Sequence, residues 1–324
     1  MKKVKALCLL SGGRDSALAA RLLKEQGVEV IGISFVTPFF GGTGGAQAAA
    51  GALGVPLRVI DVTDEHLEVV LHPRHGRGKN MNPCIDCHAL MLKAAGGLME
   101  EEGASFLATG EVLGQRPMSQ NRQSLDVVER ESGYPGLVLR PLSARLLAET
   151  TPEREGWVDR SRLAAVSGRS AKPLDELAAS LGFDYAPQHG SGCVLTDPGF
   201  SGRLRELLEH SPHPTRRELE LLRVGRHFRL PGGGKAVVGR NERENDRLEE
   251  LAAPGEPLLQ AAEVPGPVCL LTGETSLQAL LAAASLCVRY SDAPKEEPWP
   301  VSVKGGAVIK ASAADEKSLS QWRV

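Results

Sequence analysis

The sequence predicts an α/β protein, in which a parallel sheet with helices on both faces is followed by a smaller C-terminal α+β domain. The first part of the chain alternates short apolar runs with amphipathic patterns, which is typical of a parallel, helix-covered sheet. The 324 residues exceed a usual single domain, and 42% hydrophobic residues suffice for a substantial core. We therefore expect two domains, residues 1–209 and residues 210–324.

Apolar runs predict the strands of the first domain, and amphipathic patterns predict its helices. Strands are expected at residues 4–10, 28–35, 57–62, 106–109 and 137–139. The first helix is expected to end at residue 26, and further helices are expected at residues 47–53, 87–102 and 119–131. The stretch 143–182 also looks helical. Because open α/β sheets bind ligands at the carboxyl ends of their strands, functional residues should follow these strands.

The second domain is expected to begin around a Ser-Pro-His-Pro segment at residues 210–215, which is typical of a linker. Residues 227–239 then predict a β-hairpin and residues 242–251 a helix, and strands interrupted by Pro and Gly follow. The tail after Asp292 is rich in proline, so we expect it to be extended or loosely packed.

The composition limits the partners and the location. A formal net charge of −2 excludes a globally basic surface, so any contact with nucleic acid must come from local patches. No apolar stretch approaches the ~20 residues of a membrane helix, and the N-terminus lacks a signal-peptide cleavage pattern. We expect a cytoplasmic protein with no membrane partner, whose six cysteines do not form a disulfide framework.

The segment Ser11-Gly-Gly-Arg-Asp-Ser16 joins the first predicted strand to the first predicted helix. Gly12 and Gly13 let the backbone approach a phosphate, the free N–H groups of the helix start point at it, and Ser11 and Ser16 add hydroxyl donors. The Gly-Lys-Ser/Thr ending of the familiar phosphate loop is missing. The alternative is an ordinary glycine-rich β-to-α turn. The sequence favours a nucleotide site.

This segment resembles the pyrophosphate loop, SGGxDS, of the ATP pyrophosphatases, with Arg14 in the variable position. The resemblance implies that all six residues of the segment, Arg14 included, belong to the nucleotide-binding site. The resemblance implies a Rossmann-like (adenine nucleotide alpha hydrolase-like) sheet that binds ATP and Mg²⁺, with Asp15 as a ligand or orienter of the metal. It also implies cleavage of ATP between its α and β phosphates. Further nucleotide contacts are expected at the ends of the second and fourth strands, from Ser34, Phe35, Thr109 and Gly110. The chain after the fourth strand continues with Glu111, Gln115 and Arg116. These residues are expected either to face the target base or to have a role in loop structure.

Three cysteines are expected to form one site. Cys84 and Cys87 lie in the segment Asn82-Pro-Cys-Ile-Asp-Cys87 near the start of a helix, where the dipole and free N–H groups favour the thiolate. Cys193 follows Gly190-Ser-Gly192, whose glycines let a backbone loop approach a ligand. The remaining cysteines lie in apolar runs and are expected to be core residues: Cys8, Cys269 and Cys287.

The chemistry of this cysteine site has several possible forms. Cys84, Cys87 and Cys193 are candidate ligands of a 4Fe-4S cluster whose open iron binds a sulfide, and His88 would otherwise complete a Cys3His zinc site. Another possibility is persulfide chemistry, in which one cysteine carries sulfur and a second resolves it. Incidental, packed thiols are the alternative to all of these.

The motifs together resemble the adenylating domain of tRNA 4-thiouridine synthases and tRNA 2-thiouridylases. The resemblance rests on the loop at residues 11–16, the Asn-Pro-Cys segment and Phe106-Leu-Ala-Thr-Gly-Glu111, and it covers roughly the first domain. It implies ATP-dependent thiolation of a tRNA uridine: the carbonyl oxygen is adenylated, and sulfur then comes from a cysteine-bound Fe-S cluster or a persulfide. The product is 4-thiouridine or 2-thiouridine.

The same resemblance implies catalytic roles for Asp15 and for the cysteines Cys84, Cys87 and Cys193. It implies two partners, tRNA and a sulfur donor that is either sulfide or a cysteine desulfurase, and it is compatible with a homodimer. Two other functions stay open. One is an adenylase that acts on a small molecule and carries a structural zinc at its CxxC motif, and the other is a non-catalytic, nucleotide-dependent RNA-binding adaptor.

The second domain resembles the RNA-binding domain of the NFACT proteins through residues 238–248. Residues 216–247 contain nine basic and five acidic side chains, and arginines on a hairpin or helix suit phosphate contacts. A solvated helix with Glu–Arg pairs is the alternative. In the first domain, residues 71–79 contain no acidic residue, so they either guide an RNA backbone toward the cysteines or form a flexible loop that is merely soluble.

Overall fold

The computed structural model describes residues 4–185 and 192–324. The chain divides into two compact units, Met1–Asp197 and Pro198–Val324. The helix Pro198–His210 lies in the second unit, where Arg203 donates from Nε to the carbonyl of Leu222 (2.9 Å). The division therefore falls earlier in the chain than the predicted boundary after residue 209.

The first unit contains the parallel sheet that the sequence predicts. Its strands are β1 (Lys5–Leu9), β2 (Glu29–Val36), β3 (Leu57–Asp61), β4 (Phe106–Ala108) and β5 (Val138–Leu139). They lie in the order β3-β2-β1-β4-β5, and every pairing is parallel. Because β1 is central, the loop that follows it leaves the middle of the sheet at the carboxyl edge, where such sheets bind ligands.

Helices cover both faces of this sheet. They are α1 (Arg14–Lys24), α2 (Thr43–Leu53), α3 (Thr63–Leu71), α4 (Cys84–Gly96), α5 (Met99–Glu102), α6 (Arg122–Ser132), α7 (Thr151–Arg154) and α8 (Lys172–Ser180). Successive side chains of a strand point to opposite faces. Ala6 and Cys8 of β1 accordingly pack in the cluster that contains Ala17 of α1, whereas Leu7 packs with Leu92 of α4.

Two helix predictions for this unit are wrong in detail. The helix expected at residues 87–102 begins at Cys84 and is interrupted after Gly96, so that it forms α4 and α5. The stretch 143–182, expected to be helical, holds only the short helices α7 and α8 and two 3₁₀ turns. Gly156 and Gly168 adopt φ values of +67° and +83°, a left-handed conformation that ends helices.

The second unit combines a six-stranded antiparallel sheet with helices. Its strands are β6 (Arg226–Arg229), β7 (Lys235–Val238), β8 (Leu258–Ala261), β9 (Cys269–Thr272), β10 (Trp299–Val303) and β11 (Ala307–Ala311), in the order β11-β10-β8-β9-β7-β6. Its helices are α9 (Pro198–His210), α10 (Arg216–Leu221), α11 (Glu242–Leu251), α12 (Leu277–Tyr290) and α13 (Glu316–Trp322). The predicted hairpin at residues 227–239 and helix at 242–251 are thus confirmed.

The tail after Asp292 is not extended or loosely packed as expected. Instead, β10 and β11 form a hairpin at one edge of the sheet, β10 also pairs with β8, and α13 follows. Val301 of β10 is fully buried in the core of the unit. The prolines did not prevent strand formation because Pro294 and Pro298 precede β10 and Pro300 is its second residue, so that proline is confined to the start of the strand, where it is tolerated.

Three cysteines lie in the cores, as predicted: Cys8 in the first unit, and Cys269 and Cys287 in the second. In the parts of the chain that the structure describes, no helix is both long and apolar enough to cross a membrane.

Candidate functional site

The pyrophosphate loop, residues 11–16, is a tight turn between β1 and α1. Gly12 has a φ of +81°, and Gly13 is the N-cap residue of α1 without a side-chain cap. The Ser16 hydroxyl accepts a hydrogen bond from the Ser11 backbone N–H (3.2 Å) and donates to the Gly13 carbonyl (2.9 Å). The serines therefore brace the loop, while the first N–H groups of the helix, which have no partner inside it, are left for an anion.

Two glycines of this site are required by close backbone contacts. A Cβ atom on Gly12 would come within 2.4 Å of the Gly45 carbonyl carbon near the start of α2. A Cβ on Gly110, just after β4, would come within 2.5 Å of the backbone nitrogen of Ser16. The pyrophosphate loop thus lies between the start of α2 and the end of β4, and larger residues would force these segments apart.

The charged residues of the loop are held by partners from distant parts of the chain. Asp15 accepts a hydrogen bond on Oδ2 from Gln115 Nε2 (2.8 Å), and its Oδ1 lies 3.6 Å from Arg14 Nε. Arg14 also forms an ion pair with Asp175 of α8. Tyr185 donates its hydroxyl to the carbonyl of Gly12 (2.8 Å). The sequence indicated the loop, and it offered Gln115 as a residue that faces the base or shapes a loop. It did not indicate Asp175 or Tyr185.

The other predicted nucleotide residues lie close to the carboxyl ends of their strands. Ser34 and Phe35 are buried within β2, and the ring of Phe35 packs in the hydrophobic cluster of Leu7 and Val62. Thr109 and Gly110 follow β4 directly. Their contacts with a nucleotide stay predictions. Only the backbone of Phe35 would be available for such a contact, because its side chain belongs to the core.

A buried ion network lies beside Thr109. Glu111 accepts hydrogen bonds from Arg140 Nε (3.0 Å) and from Thr109 Oγ1 (3.1 Å), and its other oxygen lies 2.6 Å from His88 Nδ1. Arg140 also pairs with Glu129 through Nη1 (2.8 Å). Burial by itself would raise the pKa of Glu111, but the Arg140 charge and the His88 hydrogen bond outweigh it and lower this pKa to about 2. Glu111 therefore orients His88 and Arg140 rather than facing a base.

Cys84 and Cys87 both lie in the first turn of α4, and the segment of Cys193 packs beside them. Met81 donates its N–H to the Leu195 carbonyl (3.2 Å), and Asn80 Nδ2 donates to the Thr196 carbonyl (2.7 Å). These bonds join residues 80–81 to the 3₁₀ turn that follows Cys193, so the structure brings together the three predicted cysteines. Gly190 and Ser191 lie outside the described residues.

The environments of the three thiols differ. Cys84 is half-buried, and its Sγ accepts a hydrogen bond from Asn82 Nδ2 (3.2 Å). Burial, together with the negative charges that Cys193, Cys84 and Asp86 would carry, raises the pKa of Cys87 well above its usual range. Burial is also the main reason why the pKa of Cys193 rises to about 11, with a smaller contribution from Cys84. The thiolate preference expected from the helix dipole is therefore wrong for Cys87.

The geometry of the cysteine site does not support the predicted iron–sulfur cluster or zinc ion. Within residues 4–185 and 192–324, no three or more His, Cys, Asp or Glu side chains are arranged to hold a metal ion. The donor chemistry suits soft metals, but the arrangement does not fit a cluster or a zinc ion. His88 offers only Nε2 to a metal, because Nδ1 is bonded to Glu111.

The basic loop, residues 71–79, is held against the cysteine helix. The backbone N–H groups of Arg74 and His75 donate to the two carboxylate oxygens of Asp86 (3.2 and 3.1 Å), which lies between Cys84 and Cys87 in sequence. The guanidinium of Arg77 donates to the carbonyl of Val70 (2.8 Å). Asp86 therefore fixes a basic, mostly exposed loop close to the thiols.

Residues 109–118, here called the bridging segment, connect the pyrophosphate loop with the cysteines. Gly110 packs on Ser16, and Gln115 binds Asp15. Further along this segment, the positive charge of Arg116 opposes the rise in the pKa of Cys193, and Met118 Sδ lies 3.9 Å from the Asn82 amide nitrogen. The two candidate sites are therefore neighbours within one unit.

In the second unit, most of the predicted basic excess is paired. Arg240 forms an ion pair with Glu244, and Arg247 bonds Glu220 and Glu250 at 2.8 Å each. A further carboxylate, Glu206, pairs with Arg229 and Lys235. The alternative of a solvated helix with Glu–Arg pairs accordingly describes α11 well, and RNA contacts of this helix stay a prediction.

The first unit is an α/β domain in which a glycine turn joins a central parallel strand to a helix N-terminus, and this turn resembles the pyrophosphate loop of the ATP pyrophosphatases. Residues 2–145 match the family model described as thiamine biosynthesis protein (ThiI), and residues 225–323 match that of the NFACT protein RNA binding domain. The chain is thus similar to pyrophosphate-loop tRNA thiolation enzymes over its first unit and to an RNA-binding domain over its second.

Curated relatives agree with the first of these similarities. The tRNA-specific 2-thiouridylase MnmA of Pelobacter propionicus is 36% identical over 121 residues, which are 33% of this chain and 33% of the relative. The MnmA of a Bradyrhizobium species is 28% identical over 224 residues, 61% of this chain and 51% of the relative. The chain therefore spans about a third to a half of the length of these relatives.

Among solved structures, a 4-thiouridine synthetase in complex with RNA and bound ATP is 25% identical to this chain. The alignment covers 68% of this chain and 52% of that one, with a TM-score of 0.42.

Proposed function

We propose that this protein is an ATP-dependent tRNA sulfurtransferase that adenylates a uridine carbonyl oxygen and then replaces that oxygen with sulfur. The observation that carries the proposal is the bridging segment, which connects a pyrophosphate loop to three clustered cysteines within one unit. An adenylating site and a sulfur site must act on the same carbon, so they have to be neighbours. The matches to thiolation enzymes support the same assignment.

In the first step, ATP binds with its phosphates at the N-terminus of α1. The uridine carbonyl oxygen attacks the α-phosphorus, the bond from the α-phosphorus to the bridging oxygen breaks, and pyrophosphate leaves. The backbone N–H groups at the start of α1 stabilise the charge that grows on the leaving pyrophosphate. Mg²⁺, which accompanies ATP, offsets phosphate charge. Asp15 is the residue suited to orient it, because Gln115 fixes one of its oxygens.

In the second step, sulfur reaches the activated carbon from a cysteine. We assign Cys84 as the carrier, because it is half-buried and its sulfur is held by the Asn82 amide, whereas Cys87 is buried. A sulfane sulfur from a cysteine desulfurase converts Cys84 to a persulfide. The terminal sulfur attacks the carbon, and AMP leaves with the oxygen. Cys193, which is less buried than Cys87, then attacks the Cys84 sulfur, so that a disulfide forms and the thiocarbonyl is released with the electron pair. An external thiol reductant restores the cysteines.

An iron–sulfur cluster on Cys84, Cys87 and Cys193, supplied with sulfide, is the competing form of this step. The described geometry does not fit a cluster, so no step is derived from it. Anaerobic purification followed by iron and acid-labile sulfide assays separates the two forms. An iron content of about four atoms per chain would contradict the persulfide route and support the cluster route. A protein free of iron that accepts sulfane sulfur on Cys84, detected by mass spectrometry, supports the persulfide.

The proposed RNA partner is bound through the first unit's basic loop and through the second unit. Asp86 binds the backbone N–H groups of Arg74 and His75, which holds this basic loop against the helix that begins at Cys84. Local basic patches are what a chain of slightly negative net charge needs for RNA. The family match of residues 225–323 supports a second contact with RNA.

The test is the thionucleoside content of bulk tRNA from a deletion strain, measured by mass spectrometry after complementation. We expect one thiouridine to disappear on deletion and to return with the wild-type gene, but not with Asp15→Asn or Cys193→Ala. Asp64→Asn is the matched control, because Asp64 also lies in the first turn of a helix of this unit, but in α3 rather than in α1. An unchanged thionucleoside profile in the deletion strain would overturn the proposal, in favour of a small-molecule adenylase or an RNA-binding adaptor.

A further inference from the structure

Arg14, in the variable position of the pyrophosphate loop, has a partner that the loop motif does not supply. It is the first residue of α1, and its guanidinium forms an ion pair with Asp175 of α8. Its Nε also lies 3.6 Å from Asp15. A cation at this end of the helix repels the positive pole of the helix dipole, so it needs an anion nearby.

The packing of α8 explains why Asp175 stands opposite Arg14. Leu174 of α8 is buried in an apolar cluster with Leu18 and Leu22 of α1, and Leu177 packs against the same cluster. The apolar faces of the two helices therefore determine where the neighbouring Asp175 carboxylate lies. The Asp175 side chain itself is 59% exposed, whereas that of Arg14 is 27% exposed.

This pair stands at the place where a polyphosphate would bind. An exposed carboxylate is a weak partner for arginine in water, because solvent screens the pair. A phosphate group accepts two hydrogen bonds from one guanidinium and carries more charge, so it is the stronger partner. The N–H groups at the start of α1 would bind the same phosphate.

We propose that Arg14 is a ligand of the pyrophosphate portion of ATP, and that Asp175 competes with the nucleotide for it. The proposal rests on the assignment of ATP to the pyrophosphate loop. In the absence of nucleotide, the ion pair neutralises Arg14. When ATP binds, the guanidinium leaves Asp175 and contacts the β- and γ-phosphates. Arg14 thereby helps to stabilise pyrophosphate as the leaving group.

The test uses two variants with effects of opposite sign, measured by calorimetric titration of the full chain at low ionic strength. Arg14→Gln should weaken the binding of Mg²⁺–ATP and of pyrophosphate about tenfold, as expected for loss of a hydrogen bond between charged groups. Asp175→Asn should strengthen both about two- to fivefold, because the competing exposed pair is gone. The double variant should behave like Arg14→Gln, and the affinity for AMP should not change in any of them.

Arg21 and Glu25 provide the matched control. They form an ion pair on the same helix, about two turns beyond Arg14, and have similar exposure. Arg21→Gln and Glu25→Gln should leave the affinity for ATP unchanged. Arg14→Lys, which keeps the charge but loses the guanidinium fork, should give an intermediate affinity and serves if Arg14→Gln does not fold.

A purely structural ion pair gives a different result. Arg14→Gln and Asp175→Asn would then lower the unfolding temperature together and change ATP affinity in the same direction or not at all. That outcome would contradict the proposal that Arg14 is a ligand of the pyrophosphate portion of ATP. ATP binding by the wild type would still support the proposed function. If the wild type binds neither ATP nor pyrophosphate, both proposals fail.

Discussion

Replacement of Glu111 by glutamine should destabilise the first unit in a pH-dependent manner. Glu111 is 7% exposed and bonds Arg140, Thr109 and His88. The change in its pKa, from the ordinary 4.5 to about 2, corresponds to about 3 kcal/mol of stability at ~1.4 kcal/mol per unit. Loss of one partner of a buried ion pair costs about 3–5 kcal/mol, which is of the same size. We therefore expect Glu111→Gln to lose about 3 kcal/mol at pH 7.

The sign of the pH dependence follows from the lowered pKa of Glu111. A carboxylate whose pKa is lower in the folded state adds stability that is complete above the unfolded pKa of 4.5. This stability is lost as the pH falls from 4.5 toward about 2, because the unfolded chain takes up the proton first. The difference between wild type and variant should therefore be largest at neutral pH and should shrink below pH 4.5.

Urea unfolding between pH 7 and pH 3, followed by tryptophan fluorescence, measures this difference. Trp157 stacks on Phe106 at the start of β4, so its emission reports on the first unit. The other two tryptophans, Trp299 and Trp322, lie in the second unit and are replaced by phenylalanine in both proteins.

The control for this prediction is Glu131→Gln. Glu131 lies in α6, as does Glu129 of the buried network, but its carboxylate lies 3.6 Å from the exposed Arg74, and such surface pairs contribute about 0–1 kcal/mol. A loss below about 1 kcal/mol in Glu111→Gln, or a loss that does not depend on pH, would refute the reasoning about the buried network.

Three further predictions concern the loop, the cysteine helix and the second unit. Gly110→Ala should abolish ATP binding in a calorimetric titration while the second unit stays folded, because the new Cβ meets the Ser16 backbone at 2.5 Å; unchanged affinity would contradict the close packing. Asp86→Asn should expose the backbone of residues 74–75 to faster hydrogen exchange by at least about tenfold, because the amide retains only one acceptor oxygen for two N–H donors, whereas Asp64→Asn should not. His227 has a pKa lowered to about 3, mainly by burial and then by Lys235, so the second unit should lose stability as the pH falls below 6.5 toward 3; a flat stability profile in this range would exclude a buried neutral imidazole.

The pyrophosphate loop and the sheet around it were predictable from local sequence. An apolar run, two glycines and an amphipathic pattern occupy consecutive residues, so the strand, turn and helix that they predict depend only on residues adjacent in the sequence. The same holds for the hairpin and for α11, whose N-cap Asn241 precedes a helical pattern. The predicted helix over residues 143–182 failed because two glycines with left-handed backbone angles interrupt a pattern of apolar residues. The prediction of an extended or loosely packed tail after Asp292 failed because pairing with β8, which is distant in sequence, stabilises β10.

The sequence by itself determined the α/β class, the position of the glycine loop between the first strand and the first helix, and the three cysteines that are candidates for sulfur chemistry. These features depend on residue type and on spacing over a few residues. Only the tertiary structure decided that Cys87 is buried and cannot easily ionise, that Glu111 is part of a buried ion network, and that Asp175 holds Arg14. Burial and electrostatic partnership depend on which distant segments pack together, and the periodicity of a single segment does not contain that information.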